Sequence, residues 1–393
     1  MLIHFRDKME IGKPEMNIGL DRIYAAESRI CKIDGENGRL YYRGYPIDVL
    51  AERSNFEEVS YLLVYGKLPS IEELSRFRKE LREERNLSSG TINMISQMSK
   101  RNAHPMHILS ATVASIASED VDINDRSDGA ELRRSVKLIA KMASIVATIG
   151  RYIGGEEYQA PDPELPHAAN FLYMLTGKSP DSFQAKIIDL MFMLQAEHST
   201  NASTFAALVT SSTLADMYMS ISSGINALSG VLHGGADEAA LKMMKSIGKP
   251  ENANEYIENA LASKQKIMGF GHRVYKAYDP RAKILRKYME ELEGHSNPDS
   301  KTLTDIALEI ERIMAAKKLG EAKGIWPNID FFTGPVYTAV GMPGYLFTPV
   351  FAASRISGWC AHIIEYRKNN RLIRPLEYYS GEIGIEYMPI EKR

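Results

Sequence analysis

A chain of 393 residues with 44% hydrophobic and 25% charged side chains is long enough to bury a large core, which excludes disorder or a fibrous architecture over most of its length. With 48 Lys and Arg against 50 Asp and Glu, the formal net charge is -2; nothing draws the whole molecule to nucleic acid or to an anionic membrane, and an anionic ligand must be held by local charge. The two cysteines, Cys31 and Cys360, fit a compartment where thiols stay reduced and are expected to be buried thiols, and the charged start from Met1 to Lys8 carries no export signal, so a cytoplasmic protein is expected.

Strand signal is scarce, and its best instance comes early. Between Ile30 and Tyr42, Asp34-Gly35 and Asn37-Gly38 supply turn chemistry for a small hairpin. Leu74, Phe77 and Leu81 then form an apolar stripe among charges, and Leu132, Val136, Ile139 and Ala143 form another, at the three- and four-residue spacing of one helix face. His104 and His107 have a two-ligand spacing, but no H-E-x-x-H or paired C-x-x-C accompanies them, so no metal site is expected. Asn201-Ala202-Ser203 matches a glycosylation acceptor in form only.

Chemistry-bearing side chains gather from Glu197-His198 onward. His233 precedes Gly234-Gly235 and a helical stretch, where free N–H groups favour a neutral imidazole; a core histidine before a tight turn explains the same pattern. Gly269-Phe270-Gly271-His272-Arg273 leads to Asp279-Pro280-Arg281, combining permissive backbone, a titratable ring and a forked cation suited to carboxylate, although a solvated basic loop would read alike. No phosphate-loop or G-x-G-x-x-G motif follows a strand, so nucleotide-triphosphate and Rossmann chemistry lack support.

Leu303, Ile306, Ile310 and Ile313 predict a further helix, with Thr302 and Asp305 as its capping box and Gly320 as its terminator. Asp330 follows in an apolar run, Asn328-Ile329-Asp330-Phe331, where such neighbours raise a carboxyl above its ordinary value; a turn-bracing role has equal standing. Gly341 to Ile364 reads as a core helix, since Arg355 and His362 interrupt it short of a membrane span, and a cation there requires an anionic partner. Arg371 and Arg374 form a basic cluster near the end. Punctuation at Ser222-Ser223-Gly224 and at Gly324 to Gly334 predicts a larger domain of residues 1–222 and 331–393 and a smaller one of 223–330, with the candidate groups in the cleft between them. The fold class is all-α with a minor β element.

Several motifs occur in a fixed order: Ile33-Asp34-Gly35 with Tyr42-Arg43-Gly44-Tyr45, Glu197-His198 with Asn201-Ala202-Ser203-Thr204, Leu232-His233-Gly234-Gly235-Ala236, Gly269 to Arg281, Pro327 to Phe331, and Ser354-Arg355. Together they resemble the citrate synthase family over about Gly19 to Tyr387. The resemblance implies a homodimer of all-α subunits, each with a large helical domain and a smaller one that closes over oxaloacetate and acetyl-CoA. Asp330 would take a methyl proton from acetyl-CoA, His233 would hydrogen-bond the thioester oxygen, and His272 would polarise the oxaloacetate carbonyl. His198, Arg281 and Arg355 would hold oxaloacetate, with Arg374 reaching in from the other subunit. Met268, Gly269, Phe270 and Gly271 would line the adenine pocket, with Lys276 and Lys323, and more weakly Lys266, near the CoA phosphates. No metal or redox cofactor is implied; CoA enters as a thioester substrate. Ser199-Thr200 after His198 and Arg273 after His272 depart from the family pattern. The competing readings are a 2-methylcitrate synthase using propionyl-CoA, a non-catalytic helical scaffold and a metal-dependent hydrolase.

Overall fold

The computed structural model describes residues 15–289, 291–295 and 297–393, so the charged start at Met1 to Lys8 lies outside the described residues. Among them are seventeen α-helices and one three-stranded antiparallel sheet, β1 (Cys31–Asp34), β2 (Arg39–Tyr42) and β3 (Tyr45–Pro46) in the order β1-β2-β3. The expected hairpin is therefore present, with a third short strand beside it. Asp34 closes its turn by accepting from the backbone N–H of Asn37 at 3.2 Å. Cys31 is partly exposed, where burial was expected, and Cys360 is buried.

The core is organised by two long helices that pack along each other, Asp128–Ile153 and Phe347–Arg367. Ser127 caps the first by accepting from Ala130 N–H, and the stripe from Val136 to Ala143 faces inward as predicted. The second is buried on nearly every side, including Trp359 and Cys360, so it holds the layers together through contact rather than through one apolar face. Each large apolar side chain so enclosed contributes about 1.5–3 kcal/mol. Phe77 and Leu81 are the buried members of the Ile71–Glu84 stripe, whose start is a capping box between Ser70 and Glu73. No described helix is long and apolar enough to cross a membrane.

Three local expectations fail. The helix carrying Leu303 to Ile313 begins at Pro298, not Thr302: Asn297 caps it, and Thr302 lies a turn inside, donating back to Pro298 O at 3.1 Å. Proline at the first position outcompetes an internal Thr-Asp pair as a start because its missing N–H has no partner to lose there. Gly320 ends nothing; it sits within the short Leu319–Lys323 helix under the Trp326 ring, and Gly324 (φ 66°) is the residue in the left-handed region. Ser222-Ser223-Gly224 lies inside the Met217–Leu228 helix, where Gly224 allows close approach to Trp359, and the chain turns only after Leu228.

Candidate active site

Asp330 is the second residue of the Ile329–Ala339 helix, and its position follows from Asn328. The Asn328 side chain caps the helix by accepting from Asp330 N–H at 3.0 Å while its amide donates to Gly271 O at 2.9 Å. Backbone bonds from Asn328 N–H to Gly269 O (2.9 Å) and from Gly271 N–H to Trp326 O (2.8 Å) complete a short antiparallel pairing. That pairing joins the loop before His272 to the start of the Asp330 helix. Gly269 cannot be replaced there: it has φ 78°, and a Cβ would lie 2.6 Å from that of Phe331.

The histidines arrive from separate elements. In the Gly271–Asp279 loop, His272 Nδ1 accepts from the N–H groups of Val274 at 3.0 Å and Tyr275 at 3.2 Å, which leaves its proton on Nε2. His233 sits in the turn before the Ala236–Ile247 helix, and its Nε2 accepts from Ser203 N–H at 3.2 Å, which leaves the proton on Nδ1. His198 is buried with its Nε2 3.2 Å from Tyr275 Oη, and the His198 and His272 rings lie 5.3 Å apart, edge to face. Tyr42 of β2 fixes the approach to His198 by donating to Glu197 O at 2.9 Å, and Glu197 itself pairs with His362 at 2.9 Å. His104, by contrast, spends Nδ1 on capping its own helix, accepting from Met106 N–H.

Two buried arginines differ in what surrounds them. Arg281 grips Asp279 through Nε (3.1 Å) and Nη2 (2.8 Å), and Asp279 also accepts from Ile329 N–H at 3.3 Å, which ties the arginine to the base of the Asp330 helix. Arg281 is therefore not in a solvated loop. Arg355 donates from Nε to Gln195 O at 2.7 Å and stacks 4.8 Å from the Phe351 ring centroid, yet no carboxylate of the described residues lies within ion-pair distance of it. A buried cation without a carboxylate is costly, and a bound anion would offset that cost.

Burial controls the protonation of the group. It pushes the Asp330 carboxyl up to about 6, against the opposing pull of Arg281 and Arg355. Burial, reinforced by Arg355, pushes His233 down to about 4, and burial with Arg281 does the same to His272. His198 falls well below the usual imidazole value for the same reasons. Near neutrality the site therefore holds a carboxylate of raised basicity and neutral imidazoles with fixed tautomers, an arrangement that can remove a weakly acidic C–H proton and donate hydrogen bonds to developing oxyanions. Arg281 and Arg355 act on Asp330, and both together with His272 and His233 act on His198, so these groups share one electrostatic neighbourhood.

The remaining candidates lie at its margin. Phe270 lines a cavity of about 280 Å³ together with Tyr278, Arg286, Leu308, Trp326 and Pro327, and Met268, two positions before it, is half-buried. Lys266, Lys276 and Lys323 are exposed, and a Cβ on Gly324 would lie 3.3 Å from Lys276 O, so the last two lysines are neighbours. Arg374 is exposed on the C-terminal segment and is not drawn into this chain's own site. Sequence reasoning missed Ser203, Tyr275 and Asp279, whose parts are to orient other side chains. Only Asp279 left a signal, an Asp-Pro helix start.

Residues 19–376 match the family model described as "Citrate synthase, C-terminal domain". The citrate synthase of Deinococcus radiodurans is 44% identical over 378 residues, covering 95% of this chain and 98% of the relative. The 2-methylcitrate synthase of Mycobacterium tuberculosis is 38% identical over 369 residues, covering 94% and 91%. Among solved structures, citrate synthase from Pyrobaculum aerophilum superposes with a TM-score of 0.90 at 39% identity, with 100% of both chains covered. The ternary complex of citrate synthase from Thermoplasma acidophilum with carboxymethyl coenzyme A and oxaloacetate superposes with a TM-score of 0.91 at 34% identity, covering 97% of this chain and 100% of that one.

Proposed function

The chain belongs to the citrate synthase family and is an acyltransferase of the citrate (Si)-synthase type, and from that premise we propose how its own residues condense acetyl-CoA with oxaloacetate. Asp330 removes a methyl proton from acetyl-CoA. As negative charge moves onto the thioester oxygen, the Nδ1–H of His233 donates to it. The enol carbon attacks the oxaloacetate carbonyl, whose oxygen receives the Nε2–H of His272. Hydrolysis of citryl-CoA then releases citrate and CoA. Neutral imidazoles suit this work because a hydrogen bond from them strengthens as charge develops without a full cation stabilising the ground state first.

Oxaloacetate carries two carboxylates, and the assigned partners are His198, Arg281, Arg355 and an Arg374 supplied by a second copy of the chain. Support for a homodimer comes from the C-terminal segment, where Leu376 and Ile383 are each 89% exposed and Ile385 and Ile390 are also bare to solvent. A second copy covering that arm would bury these side chains and bring Arg374 to a site it does not reach in its own chain. For the thioester, Met268 to Gly271 line the adenine end beside the Phe270 cavity, Lys276 and Lys323 sit near the phosphates, and Lys266 lies further out. The smaller unit, drawn at 223–330 from the sequence and bounded in the fold by the turn after Leu228 and the Asn328 cap, closes over both substrates and expels water, in a cytoplasmic enzyme. The scheme draws on proton transfer and hydrogen bonds alone.

One observation carries the reading: a carboxyl of raised basicity and two tautomer-fixed neutral histidines share their surroundings with a buried arginine that has no acid of its own. Comparing kcat/KM for acetyl-CoA and propionyl-CoA with oxaloacetate tests it. Preference for acetyl-CoA with stoichiometric CoA release is expected. Efficient turnover of propionyl-CoA alone transfers the chain to the 2-methylcitrate branch, a choice that one methylene worth about 1–3 kcal/mol can decide.

A further inference from the structure

Asp237 is 1% exposed at the start of the Ala236–Ile247 helix, only four positions beyond His233, and no step above uses it. Its Oδ1 accepts from Glu238 N–H at 2.7 Å, whereas its Oδ2 has no hydrogen-bond partner. A buried carboxylate oxygen left bare costs far more than a protonated one. The place of this side chain in the fold explains the anomaly. The Ala236–Ile247 and Ile329–Ala339 helices touch where a Cβ on Gly334 would lie 3.3–3.6 Å from Leu241. Leu241 is one turn beyond Asp237 and Gly334 is one turn beyond Asp330, so each aspartate lies in the first turn of its helix, within one turn of that contact.

We propose that Asp237 is a positioning residue for the base: it keeps its proton and forms with Asp330 a carboxyl–carboxylate pair that carries one negative charge through the working range. The inference rests on the reading of Asp330 as the base. Several groups face the pair. From the Ile329–Ala339 helix come Asp330 itself and Tyr337, whose hydroxyl is spent on Gln195 at 3.0 Å; from its own helix comes Glu238, held by Thr348 at 3.0 Å. Arg281 and Arg355 act on Asp330, with Asp279 opposing them. After burial, Asp330 is the largest influence raising Asp237. With both arginines favouring the charged form of Asp330, the shared proton stays on Asp237. Ionisation of that second carboxyl at high pH would place two anions side by side and end the arrangement.

The test compares the full-length wild type with Asp237→Asn, nearly the same shape but unable to ionise. Both should share the acid limb of kcat/KM for acetyl-CoA, while the alkaline limb moves upward by at least about one pH unit or vanishes in the variant. Infrared difference spectra of the wild type at about pH 8, where an ordinary carboxyl is fully ionised, should show a protonated carboxyl C=O band that the variant lacks. Profiles that stay parallel, with kcat lowered by one factor at every pH, would mean a structural role and overturn the proposal. Absence of the band in the wild type overturns it as well, and that measurement stands even if the variant does not fold. Failure of the underlying reading has a different signature, because Asp330→Asn would then keep full activity.

Discussion

The Phe347–Arg367 helix carries Arg355 and Arg367 about 18 Å apart at 1.5 Å per residue, and the two ends treat positive charge in opposite ways. Arg367 reaches Glu131 at 2.6 Å and Ser211 at 3.0 Å. Glu131 also meets Arg134 at 3.3 Å, and Arg134 meets Asp120 at 2.7 Å, with the Tyr218 hydroxyl donating to Asp120 at 3.1 Å. In that network every cation has an acid. Its cations and acids come from the same chain and fasten the two long helices to each other. At the other end Arg355 has a backbone oxygen and a ring face, and Glu197, the acid that acts on it most, pairs with His362. In this helix the matched cation belongs to the scaffold, and the unmatched one sits among the candidate site groups, where a bound anion would complete it.

The contrast can be broken experimentally. Asp330→Asn should lower kcat about a thousandfold without lowering the thermal midpoint, because the carboxyl serves chemistry and its removal relieves the cost of a carboxylate that burial disfavours. At the matched end, Arg134→Met strands Asp120 and leaves Glu131 to Arg367 alone, and denaturant titration should show a loss of about 3–5 kcal/mol with the oxaloacetate KM unchanged in the folded fraction. Arg355→Leu should do the reverse, raising the oxaloacetate KM about a hundredfold at nearly constant stability. A common loss of stability in both variants would erase the distinction between the two ends. A milder probe is acidity: kcat/KM for acetyl-CoA should fall about tenfold per pH unit below about 6, as Asp330 is protonated, well before the histidines change charge.

The smallest effect concerns an acid away from both ends of that helix. Asp189 accepts from Phe56 N–H at 3.0 Å, and burial pushes it up to about 7. Because its folded value lies above the ordinary carboxyl value, the folded state holds the proton more tightly; stability from this group is full below about pH 4 and is lost as pH rises toward about 7. Asp189→Asn keeps an acceptor for Phe56 and should raise the thermal midpoint at about pH 8, with the gain vanishing near about pH 4. Equal midpoints at both pH values would remove Asp189 from the scaffold's pH response.

Much of this organisation was legible in the residues. Helix faces such as Val136 to Ala143 follow from spacing, and His233, His272 and Asp330 announced themselves through glycines and apolar flanks. What stayed hidden depends on contacts between distant segments. That Arg281 is clamped by Asp279, that Tyr42 props the His198 turn, and that Asp237 is buried with one oxygen bare are consequences of packing, which no local pattern encodes. Punctuation misled twice, at Gly320 and Gly224, where the missing side chain makes room for an indole instead of ending a helix.

The turn between β1 and β2 touches the His272 loop from the other end of the sequence. Gly35 O accepts from Lys276 N–H at 2.9 Å, a Cβ on Gly35 would lie 2.3 Å from Val274 O, and one on Gly38 would lie 2.6 Å from Tyr278 O. Tips of surface hairpins ordinarily absorb insertions and affinity tags without penalty. This one is wedged against the loop that holds His272, so lengthening it by even one residue would be felt as a shift of the imidazole and not as a change at a distant edge. Engineering of the amino-terminal region should stop short of Asp34.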